Sequence, residues 1–495
     1  MSGPDSSDPL RPQARAPRGL VDRRARDVRA ERAILAAVAG VYERHGFEAL
    51  DTPALEFADA LGKFLPDSDR PNEGVFALQD DDEQWLALRY DLTAPLARFA
   101  AQHWDGLPKP FRRYAMGPVW RNEKPGPGRY REFTQCDADI VGSARPEADA
   151  ELVAMAVEAL DAIGLPPEAT VVRINDRQLL NGLLAQAGVS DPAQTLAVLR
   201  AVDKLDRLGL AGVEQLLGDG RRDESGAFTK GAGLAPPAVE TVLAFVETRA
   251  AGRGATLDRL AGVVGGSAAG AEGLERLGRI AAVLDGLGVG EDRAVFEPSV
   301  VRGLEYYTGP VWELELLLDT VDERGERVRF GSVGSGGRYD DLVARFTGQR
   351  VPATGLSFGV SRLAAALRAA GRDPGAEVRG PVVVLALGKA GLAEEFALAA
   401  ELQAVGVAAE VYLGDSGMRA QMKYADRRLS PAAVILGEDE RAAGTVTVKD
   451  LDAGREAAAA VKDNAAWKAE RPGQVTIPRG QLVTVIRRVL ERAAQ

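Results

Sequence analysis

Apolar residues recur at helical spacing in three early stretches of the chain, at residues 30–45, 94–102 and 147–163. Residues 85–88, between the first two stretches, have the composition of a strand. Because helices and strands mix here without a regular β-α-β repeat, the pattern predicts an α+β fold around a mostly antiparallel sheet.

The pattern changes twice later in the chain. Residues 176–290 are predominantly helical and rich in Ala and Leu, and a strand-rich pattern resumes after them, so we expect an insertion in the first domain. After a short polar linker at residues 373–379, an apolar strand at 381–387 precedes a helix at 390–405 and further strands. This alternation predicts a separate α/β domain with at least partly parallel pairing.

The domain prediction therefore has three parts. Residues 1–28 are rich in Pro, Ser, Asp and Arg, and we expect them to form a flexible tail. Residues 29–375 would form the first domain, with its helical insertion at about 176–290, and residues 380–495 would form the second.

Composition narrows the class of protein. Of the 495 residues, 46% are hydrophobic and 27% are charged, as is usual for a soluble globular protein. There is no run of about eighteen apolar residues and no export-signal pattern at the N-terminus, so we expect no membrane segment and a cytoplasmic location. The net charge of -11 argues against indiscriminate nucleic-acid binding, although a local basic patch could still bind RNA.

Residue counts limit metal and disulfide chemistry. A single cysteine, Cys136, excludes an internal disulfide, and two histidines, His45 and His103, are too few for a cluster of zinc ligands. Mg²⁺ needs only one or two acidic groups plus substrate phosphates, so it remains possible, with ligands that the sequence does not identify.

Residues 118–139 are the most informative segment and have the pattern of strand, loop and strand. Alternation places Arg121 and Glu123 on one face of the first arm. On the second arm it groups three hydrogen-bonding side chains on one face: Gln135, Asp137 and Asp139. The Gly- and Pro-rich loop at 124–129 has cationic ends that suit a phosphate-bearing ligand, but an exposed hairpin with solvated charges fits equally well.

Two further segments contain polar groups that packing does not require. Asp91 and Thr93 precede a predicted helix and could either bind a ligand or cap that helix. Arg302, close to Tyr306 and Tyr307, suits a pocket for an anionic polar ligand; the alternative is a strand edge with aromatic packing.

Glycines are concentrated in residues 330–340, and residues 354–363 continue the pattern. No Gly-Lys-Ser/Thr follows, and the dinucleotide-binding spacing is absent, so we reject a P-loop. We expect these glycines to let backbone approach backbone or ligand closely.

In this order, the segments resemble histidyl-tRNA synthetases, which are class II aminoacyl-tRNA synthetases. Residues 47–53 resemble motif 1, which supports the dimer interface, 119–139 resemble motif 2, and 355–363 resemble motif 3. Residues 302–307 resemble the histidine-specific signature of the family. The resemblance runs from about residue 18 to the C-terminus.

The resemblance implies both a fold and a reaction. The first domain would be a class II catalytic domain with an antiparallel sheet and a helical insertion, and the second an α/β anticodon-binding domain. The enzyme would activate L-histidine with ATP, accompanied by Mg²⁺, to histidyl-adenylate and pyrophosphate. It would then transfer the histidyl group to the 3′ end of tRNA(His), acting as a cytoplasmic homodimer.

The resemblance also assigns catalytic and ATP-binding roles. Arg121 would hold the α-phosphate of ATP, Glu123 would contact adenine, and Arg362 would bind the γ-phosphate. Arg302 would lie against the α-phosphate and the attacking carboxylate, so Arg302 and Arg121 are the predicted catalytic residues.

For histidine, the resemblance implies contacts at both ends of the substrate. The α-ammonium group would be received by Asp91, Thr93 and Gln135, and Arg302 would lie against the carboxylate. Arg121 is also a predicted histidine-binding residue. The imidazole would be read by Asp139, Tyr306 and Tyr307, and Tyr339 would complete the pocket.

Four cations of the second domain are candidate tRNA contacts by the same resemblance: Arg419, Lys423, Arg427 and Arg428. Their helical spacing is equally consistent with a solvated helix face.

The main alternative is the synthetase-like regulatory subunit of ATP phosphoribosyltransferase, which is not a catalyst. That paralogue generally lacks the C-terminal domain and the full set of catalytic arginines. Here Arg121, Arg302 and Arg362 are all present and residues 380–495 form an additional domain, so we favour the ligase. A class II synthetase for another amino acid would leave the segment at 302–307 unexplained.

Overall fold

The computed structural model describes residues 13–64, 74–125, 130–223, 226–301, 306–318, 320–321, 327–328, 331–375, 379–387, 392–460 and 473–492. The chain divides into two compact units, Met1–Ala376 and Glu377–Gln495. Each unit has its own hydrophobic core.

The strands of the first unit are β1 (Glu48–Ala49), β2 (Leu55–Phe57), β3 (Ala77–Gln79), β4 (Trp85–Leu88), β5 (Phe111–Trp120), β6 (Glu132–Val141), β7 (Thr170–Asp176), β8 (Gly220–Arg222), β9 (Phe228–Lys230), β10 (Ala294–Phe296), β11 (Pro310–Leu316), β12 (Thr320–Val321), β13 (Arg327–Val328), β14 (Gly331–Arg338) and β15 (Ala353–Gly359). Its helices are α1 (Ala25–Arg44), α2 (Thr93–His103), α3 (Pro146–Ala162), α4 (Arg177–Gln186), α5 (Pro192–Val202), α6 (Leu205–Leu217), α7 (Pro236–Val246), α8 (Arg253–Val264), α9 (Ala268–Gly286), α10 (Ala344–Thr347) and α11 (Val360–Ala369). Short 3₁₀ turns lie at Ala58–Phe64, Trp104–Gly106 and Pro167–Ala169.

Among the described residues, eight strands form a central sheet in the order β1-β5-β6-β15-β14-β11-β7-β10. The six inner strands pair antiparallel, while β1 and β10 add parallel edges. The predicted mostly antiparallel sheet is confirmed. Helices α4 to α9 follow β7 along the chain and precede β10, so the predicted helical stretch separates two adjacent strands of the sheet.

One face of the sheet packs against helices α1, α3 and α9. Helix α3 starts with Pro146 at its N-terminus, where a missing N–H costs no hydrogen bond, and Leu152 and Met155 are fully buried. On β6, three small or apolar side chains enter this core: Cys136, Ala138 and Ile140. Alternation directs the polar residues between them to the opposite face of the sheet.

Helix α1 begins at Ala25, five residues before the predicted start. Asp27 accepts a hydrogen bond from the backbone N–H of Arg24 at 3.1 Å and pairs with Arg368 of α11 at 2.6 Å. These contacts stabilise a polar first turn that the apolar stripe does not reveal. Gly46, with a φ of 76°, lies just past the end of the helix, in the left-handed region that favours glycine.

A small sheet with the order β2-β4-β3 lies after the first short strand of the unit. Leu55 pairs with Leu88, and Phe57 and Leu78 both pair with Leu86, so their side chains share one side of this sheet. Three of these side chains are exposed: Leu55 by 41%, Leu78 by 46% and Phe57 by 55%. We call the five residues the apolar face.

The second unit contains β16 (Val382–Val384), β17 (Ala409–Val411), β18 (Ala432–Ile435), β19 (Thr445–Asp450), β20 (Gln474–Pro478), α12 (Ala393–Ala404), α13 (Met418–Arg427), α14 (Glu438–Ala443), α15 (Leu451–Ala460), a 3₁₀ turn (Arg479–Gln481) and α16 (Leu482–Arg492). The sheet order is β17-β16-β18-β19-β20. Strand β16 is parallel to β17 and β18, and the remaining pairs are antiparallel. The prediction of partly parallel pairing is confirmed.

Within the described part of the chain, every helix is too short or too polar to cross a lipid bilayer.

Candidate active site

A cleft of about 640 Å³ opens on the face of the central sheet opposite the helical core. Nine of the predicted site residues line it: Asp91, Thr93, Arg121, Glu123, Gln135, Asp139, Tyr306, Tyr307 and Tyr339. They come from four separate parts of the chain, at the start of α2, the β5–β6 hairpin, the segment before β11 and the end of β14. The fold therefore brings distant polar segments to one cavity.

Two predicted site residues are not among the described residues that line the cleft. Arg302 lies outside the described residues, as does most of the loop at 124–129. Arg362 lies in the first turn of α11 with an exposed side chain, and it is not among the described residues that line the cleft.

Asp139 is held from two sides. Arg113 lies directly opposite it on β5, with 2.9 Å between Nη2 and Oδ2. The hydroxyl of Tyr339 donates a hydrogen bond to Oδ1. Burial raises the pKa of the Asp139 carboxyl, although the Arg113 guanidinium opposes this shift. The ion pair and the hydrogen bond fix the orientation of a carboxylate that faces the cleft.

The three tyrosines form an aromatic cluster beside this carboxylate. The ring centroids of Tyr306 and Tyr307 lie 4.3 Å apart, and those of Tyr306 and Tyr339 lie 6.2 Å apart. Tyr307 and Tyr339 are buried, and Tyr306 is 38% exposed. An apolar wall with phenolic tips suits a flat ligand ring that carries polar atoms.

Asp91 combines the two roles that the sequence left open. Its Oδ1 accepts hydrogen bonds from the backbone N–H groups of Thr93 at 3.1 Å and Ala94 at 2.9 Å, which caps the start of α2. The side chain also lines the cleft. Burial raises the pKa of its carboxyl, while the Ala94 N–H and the Arg121 guanidinium oppose the shift.

Arg121 and Glu123 follow the end of β5 at Trp120, so strand alternation does not govern them as predicted. The Nε of Arg121 donates to the carbonyl oxygen of Tyr90 at 3.1 Å, and its guanidinium lies 5.1 Å from the ring centroid of Phe133. These contacts hold a cation at the cleft in a defined position.

The glycine-rich strands β14 and β15 lie under the cleft, where their glycines leave room for side chains, whereas the sequence predicted close approach of backbone or ligand. A Cβ at Gly355 would overlap Oδ1 of Asp139 and lie 3.1 Å from the ring of Tyr339. A Cβ at Gly337 would lie 2.9 Å from the ring of Tyr307. Glycine at these positions makes room for the side chains of the site.

Sequence analysis missed four residues of this region. Arg113 forms a buried ion pair that depends on the register between β5 and β6. Ser357, from the segment at 354–363, and Arg345, from a segment that the sequence analysis did not single out, also line the cleft. Asp137 also lines the cleft, and strand alternation had placed it beside Asp139. That shared face was the signal that could have identified it.

Comparison with known proteins supports one family. A family model described as histidyl-tRNA synthetase matches residues 19–363, and one described as anticodon binding domain matches residues 381–488. The chain belongs to the histidyl-tRNA synthetase family. A histidine–tRNA ligase from Caulobacter vibrioides is 70% identical to it over 98% of this chain and 99% of that protein. One from Cereibacter sphaeroides is 55% identical over 97% and 98%.

Solved structures agree with this membership. The histidyl-tRNA synthetase of Nostoc sp. PCC 7120 has a TM-score of 0.71 at 27% identity and covers 97% of this chain and 100% of its own. A protein of Bacillus halodurans described as an ATP phosphoribosyltransferase regulatory subunit/histidyl-tRNA synthetase has a TM-score of 0.65 at 21% identity, covering 84% of this chain and 97% of its own, and shares the fold.

The relatives decide between the two functions that the sequence raised. Identity of 70% over nearly the full length supports an aminoacyl-tRNA ligase that joins histidine to tRNA with ATP as substrate, and it does not support the regulatory subunit. The ligase prediction is confirmed.

Proposed function

We propose that the cleft is the site of histidine activation, and that its residues act in the roles that the family resemblance implies. The observation that carries this proposal is the convergence of an arginine, acidic side chains and three tyrosines from distant segments on one cavity. The groups in the cavity carry the proposal because a shared fold alone does not establish a function.

The first step joins two anionic groups. When the carboxylate of histidine attacks the α-phosphate of ATP, negative charges approach each other, and positioned guanidiniums offset that repulsion while they align the reactants. Arg121, held by Tyr90 and Phe133, supplies one such charge. Arg302 is proposed as the second, on the family signature, and Arg362 as the ligand of the γ-phosphate.

Histidine is proposed to lie with its imidazole against Asp139 and the tyrosines. The Asp139 carboxylate, fixed by Arg113 and Tyr339, can accept a hydrogen bond from a ring N–H. Asp91, Thr93 and Gln135 line the same cleft and are proposed to receive the α-ammonium group, with Glu123 near adenine. Analogues without ring nitrogens would leave buried polar groups unpaired, so the site would reject them strongly.

Mg²⁺ is proposed to enter with ATP. Among the described residues, no group of three or more His, Cys, Asp or Glu side chains could hold a metal ion. A site made of protein ligands alone therefore does not fit this part of the chain, whereas an ion carried by the phosphates needs few protein ligands.

The enzyme is proposed to act as a homodimer in the cytoplasm. Support for the homodimer comes from the apolar face, where Phe57, Leu78 and Leu55 are exposed on one side of a small sheet directly after the motif 1 segment. Such a patch of large apolar side chains is typical of a protein interface, and a second copy of this chain is the proposed occupant.

The second domain, at 380–495, is proposed to bind the anticodon of tRNA(His). Arg419, Lys423 and Arg427 are exposed along α13, which suits contact with phosphates. Arg428 already pairs with Glu410 at 3.0 Å.

The test is histidine-dependent exchange of pyrophosphate into ATP by the purified protein, followed by charging of tRNA(His). We expect exchange with histidine and none with the other amino acids. Folded protein that supports no exchange would contradict the proposed site.

A further inference from the structure

Asp137 is a carboxylate of the cleft that has no role in the proposal above. It lies on β6 between Gln135 and Asp139 and lines the cavity, yet only 2% of the residue is exposed. Among the described residues, its Oδ1 is buried without a hydrogen-bond partner. Asp137 interacts with the hydroxyl of Ser357, which lies opposite it on β15 and accepts a hydrogen bond from Gln135 Nε2 at 2.9 Å.

The balance of charge around the cleft distinguishes Asp137 from its two acidic neighbours. Asp139 has Arg113 as its own cationic partner, and Asp91 accepts two backbone N–H groups at the start of α2. Within the described residues, Asp137 has no cation at ion-pair distance. Arg113 influences it only from its position beside Asp139. A buried carboxylate without a paired cation is costly, so either it holds a proton or a ligand supplies the cation.

In the free site, Asp137 is expected to hold a proton. In the occupied site, the substrate can supply the cation instead. Burial and the nearby Asp139 charge raise the pKa of Asp137 to about 8. Histidine carries one group that is cationic across the neutral range, its α-ammonium, whereas its imidazole is mostly neutral above a pH of about 6.5. Two residues along a strand span roughly 7 Å, so Asp137 is one such step from the carboxylate proposed for the imidazole.

We propose that Asp137 is a histidine-binding residue whose carboxylate pairs with the α-ammonium group of the substrate. This inference rests on the proposed function of the cleft and adds a charged partner for the amino end. This pairing would make the site selective for ligands that carry the amine, because a ligand without it would leave Asp137 buried and unpaired.

The first test is Asp137→Asn, which keeps the shape of the side chain and removes its charge. We expect the KM for histidine in pyrophosphate exchange to rise by roughly ten- to a hundredfold, the scale of one charge-assisted hydrogen bond. The KM for ATP should stay within about twofold of the parental value, because the α-ammonium does not contact ATP.

Two histidine analogues identify the end of the substrate that Asp137 binds. Imidazolepropionate lacks the amine, and histamine keeps it. Asp137→Asn should weaken inhibition by histamine and leave inhibition by imidazolepropionate unchanged. If inhibition by imidazolepropionate weakens as much as inhibition by histamine, Asp137 serves the imidazole and the proposal is wrong.

Folding and the underlying function are controlled separately. Asp137→Asn should leave the thermal unfolding temperature at or above the parental value. It should also reduce the increase in unfolding temperature that added histidine produces. A variant that fails to fold would give Asp137 a structural role and overturn the proposal. Asp149→Asn removes a buried carboxylate that pairs with Arg338, and it should lower the unfolding temperature. Parental protein without exchange would overturn the function of the cleft, whereas active parent with an unchanged Asp137→Asn variant would overturn this inference alone.

Discussion

Arg113 and Asp139 form an ion pair across β5 and β6, and neither side chain is more than 2% exposed. The same Nη2 of Arg113 donates to the carbonyl oxygen of Leu92 at 2.8 Å, next to the start of α2. One buried guanidinium therefore connects the carboxylate proposed for the imidazole to the segment that carries Asp91 and Thr93. The two ends of the proposed histidine site are held together by a residue that does not line the cleft.

Replacing Arg113 by methionine would leave Asp139 buried without its cation. We expect the free energy of unfolding to fall by about 3–5 kcal/mol, the range for breaking a buried pair by removing one partner. Urea denaturation measures this free energy of unfolding. Arg44→Met is the matched control, since Arg44 pairs with Glu158 at 2.6 Å on the surface, and such pairs contribute about 0–1 kcal/mol. Equal losses in the two variants would contradict the prediction.

Gly355→Ala would place a methyl group against Asp139 and Tyr339. Displacement of the carboxylate should raise the KM for histidine by about tenfold or more, because small misplacements of a binding group have large effects. Gly278→Ala, in the middle of α9 with open space around the added Cβ, is the control and should leave the KM unchanged. Steady-state pyrophosphate exchange compares the two variants, and a Gly355→Ala enzyme with parental KM would show that the site tolerates the methyl group.

Arg121→Ala should slow adenylate formation by roughly a hundredfold or more, the scale of losing one preorganised charge contact. Arg302→Ala should do the same on the basis of the family signature. Single-turnover adenylate formation measures both rates. Arg112→Ala is a control from β5, since Arg112 pairs with Glu151 at 2.5 Å away from the cleft, and it should keep the parental rate. Parental rates in the Arg121 and Arg302 variants would show that the assigned roles are wrong.

Phe57→Glu places a charge on the apolar face and should shift the proposed homodimer toward monomer in sedimentation velocity. Phe228 on β9 is 56% exposed, almost the same as Phe57 at 55%, so Phe228→Glu tests whether any exposed aromatic has this effect. We expect the Phe228 variant to remain dimeric. Dimerisation that persists in Phe57→Glu would exclude the apolar face as the interface.

The stability of the free enzyme should depend on pH through Asp137. Its pKa is about 8 in the folded protein and about 3.8 when unperturbed, so between these values the folded state holds a proton that the unfolded state lacks. This contribution to stability is greatest at low pH and is lost as the pH rises toward 8. In urea unfolding across that range, the free energy of unfolding of Asp137→Asn should therefore rise relative to that of the parent up to pH 8. Above pH 8 the difference between the two should be constant. A difference that does not vary with pH would refute the assignment.

Local patterns predicted those parts of the site that depend on one strand or helix. The shared face of Gln135, Asp137 and Asp139 follows from alternation within β6, and the cap at Asp91 follows from residue types before α2. Both are set by neighbours in the sequence. The structure confirms the cap and places all three β6 side chains at the cleft.

Features that depend on register between strands were not predictable. The pairing of Arg113 with Asp139 requires knowing which residues of β5 and β6 lie opposite each other, and the apolar face requires the pairing of β2 and β3 with β4. The early start of α1 depends on a contact between Asp27 and Arg368 of α11, which lie 341 residues apart in the sequence. Such contacts leave no periodic signal in one sequence.

Cys136 is completely buried between the sheet and its helices, and burial raises the pKa of its thiol well above the usual range. Because the chain has no second cysteine, the native protein should be inert toward maleimides and similar reagents. A cysteine introduced at an exposed position such as Met418 would then accept a single fluorophore without removal of any natural thiol. Dye attached there could report the docking of tRNA on the second unit in real time.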